Sequence, residues 1–225
     1  MKFGLIYGLS VLKPWDDGKE SDTFFNAIEQ IKLAESLGFE YVWGVEHHFL
    51  TEYSHSSAPE VFLGALSQVT SKIRLGHGVA LLPKPYNHPV RVAERVATLD
   101  ILSRGRLEFG TGRSGSQTEL EGFEIDPSDT RPMWEEAMRV IPRMWMEDPF
   151  SYNGKYFSVP SRTIVPRPVQ KPHPPMWTAA TQPDTFEMAG RMGVGVLGFT
   201  SGTPKEFVPR IDAYRQAIKD PDPVG

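Results

Sequence analysis

Two clusters of this 225-residue chain offer the most chemistry: a histidine pair and a glycine-rich run carrying an arginine. Glu46-His47-His48-Phe49 closes a short aromatic and branched segment, and imidazole is the side chain most easily used as acid, base or pH-sensitive donor near neutrality. If the pair is only structural, one ring packs under a helix and the other faces water. A metal is the sharper rival, because Glu46, His47, His48 and His55 are all ligand types. Adjacent strand residues point to opposite faces, so this run cannot put both rings on one metal without an irregular backbone, and no metal site is expected.

Gly110-Thr111-Gly112-Arg113-Ser114-Gly115 satisfies the G-x-G-x-x-G dinucleotide pattern. It comes on the fourth strand–helix unit, not the opening one, and leads into Gln117, Glu119, Glu121 and Gly122. Its better use is a loop whose backbone comes close to a ligand, with Arg113 as a forked cation for phosphate. An exposed arginine on a flexible turn is the alternative. Pro183 opens a helix, so backbone donors after Thr181 and Gln182, together with Thr185, could meet an anion there; ordinary capping has the same signature. Trp15, Trp43, Trp134, Trp145 and Trp177 could stack on an aromatic cofactor, but tryptophan is more often plain core, and none is assigned a site.

These residues need elements to hold them. Lys2–Tyr7 predicts a strand, followed by a helix from about Ser21 that carries Phe24, Ile28, Ile31 and Ala34 and stops at Gly38. Phe39–Val45 predicts the second strand, and Pro59 opens a helix with Val61, Phe62, Ala65, Leu66 and Val69 inward. Ile73–Leu82 predicts a third strand. His88-Pro89 starts a helix with Val90, Ala93, Val96, Ala97 and Ile101 inward, and Arg106–Phe109 a fourth strand. A helix around Met133–Ile141 should be kinked or divided by Pro142. Asn153-Gly154 predicts a hairpin inside a proline-rich extended stretch. Met176–Ala180 and Val194–Phe199 are the fifth and sixth core strands, and Thr203-Pro204-Lys205-Glu206 opens a final helix with a capping box. The residues just past each strand, down to Thr181-Gln182 and Phe199-Thr200, are where a parallel sheet would place a site.

Strands alternating with helices argue for a parallel sheet covered by helices, either an open doubly wound sheet or a closed barrel. An eight-unit barrel typically needs roughly 250 residues, and six units are visible here. Twenty-four basic and twenty-eight acidic side chains are interspersed, for a net charge of −4, which argues against a nucleic-acid partner. The absence of cysteine excludes disulfides, thiolate zinc sites, iron–sulfur clusters and thiol nucleophiles together. Met1–Tyr7 lacks the long apolar region and small-residue cleavage site of a signal peptide. Every later apolar run meets a charge before the ~20 residues a membrane span needs. A soluble, cytoplasmic protein with no membrane partner is expected.

Several segments together resemble the bacterial luciferase-like family of flavin-dependent monooxygenases: Glu46-His47-His48-Phe49, Leu81-Leu82-Pro83, His88-Pro89-Val90-Arg91 with Ala93-Glu94, Leu99-Asp100, Ser103-Arg104-Gly105-Arg106, Phe109-Gly110, Pro168-Val169-Gln170 and Ala179-Ala180-Thr181. They run through the whole chain in the family's order. The resemblance implies an α/β, parallel (β/α)8 TIM-type barrel, here with six of its units, the C-terminal ones missing. Residues 1–225 would be one domain, with 146–175 an extended surface insertion.

It implies FMN at the carboxyl mouth of the barrel. His47 would lie near the flavin's reacting edge, with His48 structural. Gly78-Val79 would be a non-proline cis peptide against the ring. Gly112 and Arg113 would belong to the flavin loop, and Thr181, Gln182 and Thr185 to the phosphate-binding helix start. Some relatives have an acidic residue then serine at Thr181-Gln182 and a cysteine at Gly112. The expected activity is a two-component monooxygenase, in which a separate flavin reductase supplies reduced FMN and dioxygen oxidises a small organic substrate. A deazaflavin-dependent hydride-transfer enzyme and a non-catalytic flavin-binding relative or subunit are the alternatives. The helices Pro59–Ser71 and Pro89–Ser103 match those that pair between subunits in the family, so a homodimer is expected.

Overall fold

The computed structural model describes residues 2–199 and 202–224. Its strands and helices alternate: β1 (Gly4–Tyr7), α1 (Lys19–Ser36), β2 (Tyr41–Gly44), α2 (Pro59–Val69), β3 (Arg74–His77), β4 (Ala80–Leu81), α3 (Pro89–Leu102) and β5 (Leu107–Gly112). Then come a short α4 (Gln117–Gly122), α5 (Thr130–Met146), a hairpin of β6 (Phe150–Asn153) and β7 (Ser158–Arg162), β8 (Met176–Ala180), α6 (Pro183–Arg191), β9 (Gly195–Gly198) and α7 (Pro204–Ala217).

The order across the main sheet is β1-β2-β3-β5-β8-β9, every pair parallel, with β4 also on β5. A doubly wound sheet reverses its strand order partway. This one never does, so each crossover advances in one direction and the sheet curls into a half-barrel of the (β/α)8 type. Among the described residues, no helix is long and apolar enough to cross a membrane.

The core fills the space between the sheet's outer face and its helices. Leu75, Leu107 and Phe109 point outward from their strands and meet Leu63 and Leu66 of α2, Ala93 and Val96 of α3, and Met138, Ile141 and Trp145 of α5. Each large aliphatic buried in this way contributes roughly 1.5–3 kcal/mol. The inner face is built differently. A Cβ on Gly76 would lie 2.1 Å from the Trp43 ring, and one on Gly195 would lie 2.2 Å from that of Trp177. The two glycines thus let two indoles lie across the sheet, edge to face with centroids 5.6 Å apart.

Several expectations need correction. The segment 73–82 is two strands, β3 and β4, separated by Gly78 and Val79, whose peptide is cis. The glycine run begins as strand: β5 continues through Gly110, Thr111 and Gly112, where a Cβ on Gly110 would strike the His77 carbonyl at 1.9 Å. On α2, Val61, Ala65 and Val69 face outward, while Pro59, Phe62, Leu63 and Leu66 pack inward. Both sides of that helix are apolar, so periodicity could not choose between them. Ile101 is likewise half exposed, and its neighbour Asp100 is buried instead, accepting from Val169 N, Gln170 N and Gln170 Nε2 at 2.7–3.0 Å. That carboxylate pins the proline-rich stretch to the body. Pro142 does not divide α5, which runs on to Met146 with its proline ring in the core. Phe207, Ile211, Tyr214 and Ile218 give α7 no fully buried side chain; it leans on α6, with Phe207 against Phe186.

Candidate functional site

A cavity of about 410 Å³ opens beyond the carboxyl ends of the strands, where parallel α/β folds carry their sites. All eight residues singled out above line it. His47 comes from the end of β2, Gly78 and Val79 from the break between β3 and β4, and Gly112 and Arg113 from the end of β5. Thr181, Gln182 and Thr185 come from the β8–α6 connection. Thr200, named as a residue following the sixth strand, lies outside the described residues.

The His47 side is held by two buried carboxylates. Glu119 in α4 is 1 % exposed; its Oε1 accepts from the His48 backbone N–H at 2.9 Å and faces His47 Nδ1 at 3.1 Å. Its Oε2 accepts from Ser114 Oγ at 2.7 Å. Burial alone would raise the Glu119 pKa, but these bonds outweigh it and hold the carboxyl below its ordinary range. Ser114 reaches this position through a left-handed turn, φ 62°, that follows Arg113. Glu46 is the second carboxylate. It accepts from Leu81 N at 2.8 Å and Asn87 Nδ2 at 2.9 Å, with His48 Nε2 at 3.1 Å. His48 also stacks on Tyr86 and meets Phe123 edge-on, 4.9 Å away, so its ring is a packing element. Only His47 presents its ring to the cavity, 29 % exposed.

The opposite side is open and cationic. Arg113 is exposed and donates to Thr130 Oγ1 at 3.1 Å. Arg131 in α5 also lines the cavity and is shared between Glu135 Oε1 at 3.0 Å and Asp184 Oδ2 at 2.7 Å. The Arg131 guanidinium holds the Asp184 carboxyl below its usual pKa. Asp184 lies in the first turn of α6, the end whose dipole favours anions. Between the two sides, Gly78, Val79, Leu81, Gly112 and Ala179 form a largely apolar wall, closed behind by Trp134, whose indole N–H donates to Thr111 Oγ1 at 3.1 Å.

Glu119 and Arg131 are the residues the sequence did not assign. Glu119 follows Ser116 at capping-box spacing, but the Ser116 side chain makes no cap, and the carboxylate turns inward instead. Arg131 carries no local signal; it is brought to the cavity by α5. Among the described residues no three His, Asp or Glu side chains gather as a metal site.

A family model described as luciferase-like monooxygenase matches residues 1–224. The chain belongs to this family. This luciferase-like chain is 30% identical over 200 residues to the oxygenase component of the flavin-dependent trigonelline monooxygenase of Acinetobacter baylyi, covering 87% of this chain and 53% of the relative. It superposes on the monooxygenase RslO1 of Streptomyces bottropensis with a TM-score of 0.87 at 33% identity, covering 97% of this chain and 66% of that one. The coenzyme F420-dependent tetrahydromethanopterin reductase of Methanopyrus kandleri gives 0.72 at 27% identity, covering 98% and 62%. The chain spans about half the length of the curated relatives it matches.

Proposed function

We propose that this chain forms the flavin-binding and reaction side of an FMN-dependent, two-component monooxygenase that takes reduced flavin from a separate reductase and uses dioxygen to oxidise a small organic substrate. The carrying observation is that an orientable imidazole, an apolar wall, two arginines and a helix start all face one cavity. The residues present fit a flavin phosphate ester. Gly78, Val79, Leu81, Gly112 and Ala179 suit the face of a planar ring, and Arg113, Arg131, Thr185 and the start of α6 suit a phosphate dianion. The resemblance to the trigonelline enzyme's flavin-dependent oxygenase component favours the two-component arrangement.

When bound, reduced flavin supplies the electrons that activate dioxygen. His47 would hold or move a proton at Nε2, and Val79, Leu81 and Trp134 would keep water from the reacting edge. Arg113 and Arg131 would fix the phosphate and thereby the register of the ring. This reading treats residues 1–225 as one barrel domain with 146–175 inserted, working in the cytoplasm. It also takes α2 and α3 as the pairing face of a homodimer, where Val61, Val69, Ile101 and Leu102 are exposed. Light scattering should give twice the chain mass; a monomer at micromolar concentration would remove the dimer.

A second reading is hydride transfer with a deazaflavin, favoured by the likeness to the F420-dependent reductase. Titration with FMN and with a deazaflavin, followed by mixing the reduced complexes with aerated buffer, separates the two. FMN preference with rapid reoxidation supports the monooxygenase; deazaflavin preference with slow reoxidation replaces it. Within the first reading, His47→Ala should slow oxidation of reduced FMN about 100-fold, in the usual range for a lost acid–base group, with FMN affinity nearly unchanged. An undiminished rate would end the proposed role of His47.

A further inference from the structure

We infer that Glu119 is the positioning residue of this site, holding His47 with its proton on Nδ1 and offering the cavity the free nitrogen Nε2. Calling the consequence catalytic rests on the function proposed above; the orientation of the ring rests on geometry alone. Glu119 is buried, and both of its oxygens are occupied by groups that donate: His48 N–H can only donate, and Ser114 Oγ, which itself accepts from Ser116 N, turns its hydrogen to the carboxylate. A carboxylate so placed is an acceptor on both oxygens. The His47 nitrogen facing it at 3.1 Å must therefore carry a hydrogen, because two lone pairs at that distance repel. In the neutral ring this fixes the tautomer: Nδ1 donates, and Nε2 keeps its lone pair.

The remaining contacts of His47 leave the tautomer to Glu119. Its backbone N–H donates to Ser56 O at 3.0 Å, which sets the main chain, and Tyr53 meets the ring edge-on with centroids 5.3 Å apart, which limits its tilt. Nε2 has no hydrogen-bond partner among the described residues, and the ring lines the cavity. Glu119 also ties two strand ends together. Ser114, next to Arg113, and His47, at the end of β2, meet on the same carboxylate although the histidine lies 72 positions from Glu119 in sequence and the serine only 5. A shift of the arginine loop would therefore reach the imidazole through Glu119.

The test is long-range proton–nitrogen NMR on the chain labelled with 15N-histidine, with the His47 signals assigned by their loss in His47→Ala. At neutral pH the wild-type ring should show its proton on Nδ1. A ring with its proton on Nε2 overturns the inference. Glu119→Leu, which removes both acceptor oxygens, should abolish the preference for Nδ1–H, and an unchanged tautomer in that folded variant overturns it equally. In the loaded protein, Glu119→Gln should lower the rate of reduced-FMN oxidation about 10-fold or more with KM for flavin within about twofold, since a misheld tautomer costs turnover and not binding. Should the tautomer prove as stated while His47→Ala oxidises flavin normally, the functional reading fails and the orientation of the ring survives.

Discussion

The two sides of the cavity are built on opposite principles. Around His47 the carboxylates are sunk and paired: Glu46 and Glu119 gather six contacts between them from four different parts of the chain. Around Arg131 the groups are exposed, and the guanidinium is divided between Glu135 and Asp184, each about half open to solvent. Buried, fully satisfied carboxylates fix geometry because breaking any one bond strands a donor in a dry place. Exposed ion pairs hold little, typically under 1 kcal/mol, and exchange partners freely. The imidazole side is thus set before anything binds, whereas the cationic side can trade a carboxylate for a phosphate.

Removing Glu46 should break this contrast most severely. Glu46→Ala leaves Leu81 N–H without its acceptor, Asn87 Nδ2 with Leu81 O alone and the His48 ring without its partner, and should cost about 4 kcal/mol of stability, at roughly 1–3 kcal/mol for each buried polar group left unsatisfied. A melting temperature within a few degrees of wild type would show that side to be looser than its bonds indicate. Acid should act next. His77, behind the same strands and wholly buried, has its pKa pushed down to about 4 by burial, with Glu60 opposing and Arg95 reinforcing the shift. Its neutral form is favoured by folding, so its stabilisation is complete above 6.5 and is lost as the pH falls from there towards 4, by about 3 kcal/mol. Glu119, whose folded pKa is depressed, adds its own loss only as the pH falls below its ordinary 4.5. Denaturant unfolding across pH 7 to 4 should show the first decline in wild type and a flatter curve in His77→Leu.

The smallest effect on stability belongs to the open side. Arg131→Ala should change unfolding free energy by no more than about 0.5 kcal/mol, yet, on the function proposed above, weaken FMN binding about 10-fold by removing one of the proposed phosphate partners. Calorimetric FMN affinity equal to wild type would remove Arg131 from the proposed phosphate site.

Much of this architecture could be read from the chain. Met176–Ala180 is a strand at the bounds its branched and aromatic run gave, and the glycines at 38 and 193 end their helices with positive φ. The positions that failed share a cause. Choosing the buried face of α2 needs the sheet it packs on, and knowing that Gly110 to Gly112 stay in the ladder needs the neighbouring His77 carbonyl. Asp100 and Glu119 look like surface charges until the donors that bury them arrive from 69 and 72 residues away. The histidine pair stood out because imidazoles closing a strand offer acid–base chemistry, and the family resemblance chose His47 from it; the carboxylate beside it did not stand out, because a glutamate in a short polar helix is ordinary.

The paired indoles on the inner face have an optical consequence. Trp43 and Trp177 lie over Gly76 and Gly195, Trp43 continues to the edge of Gly78, and Trp134 forms the cavity's back wall. A yellow chromophore settling against Gly78 and Gly112 would sit within resonance-transfer reach of three emitters. Its arrival and departure should therefore be visible as dimming and recovery of the protein's own ultraviolet glow, with no dye attached.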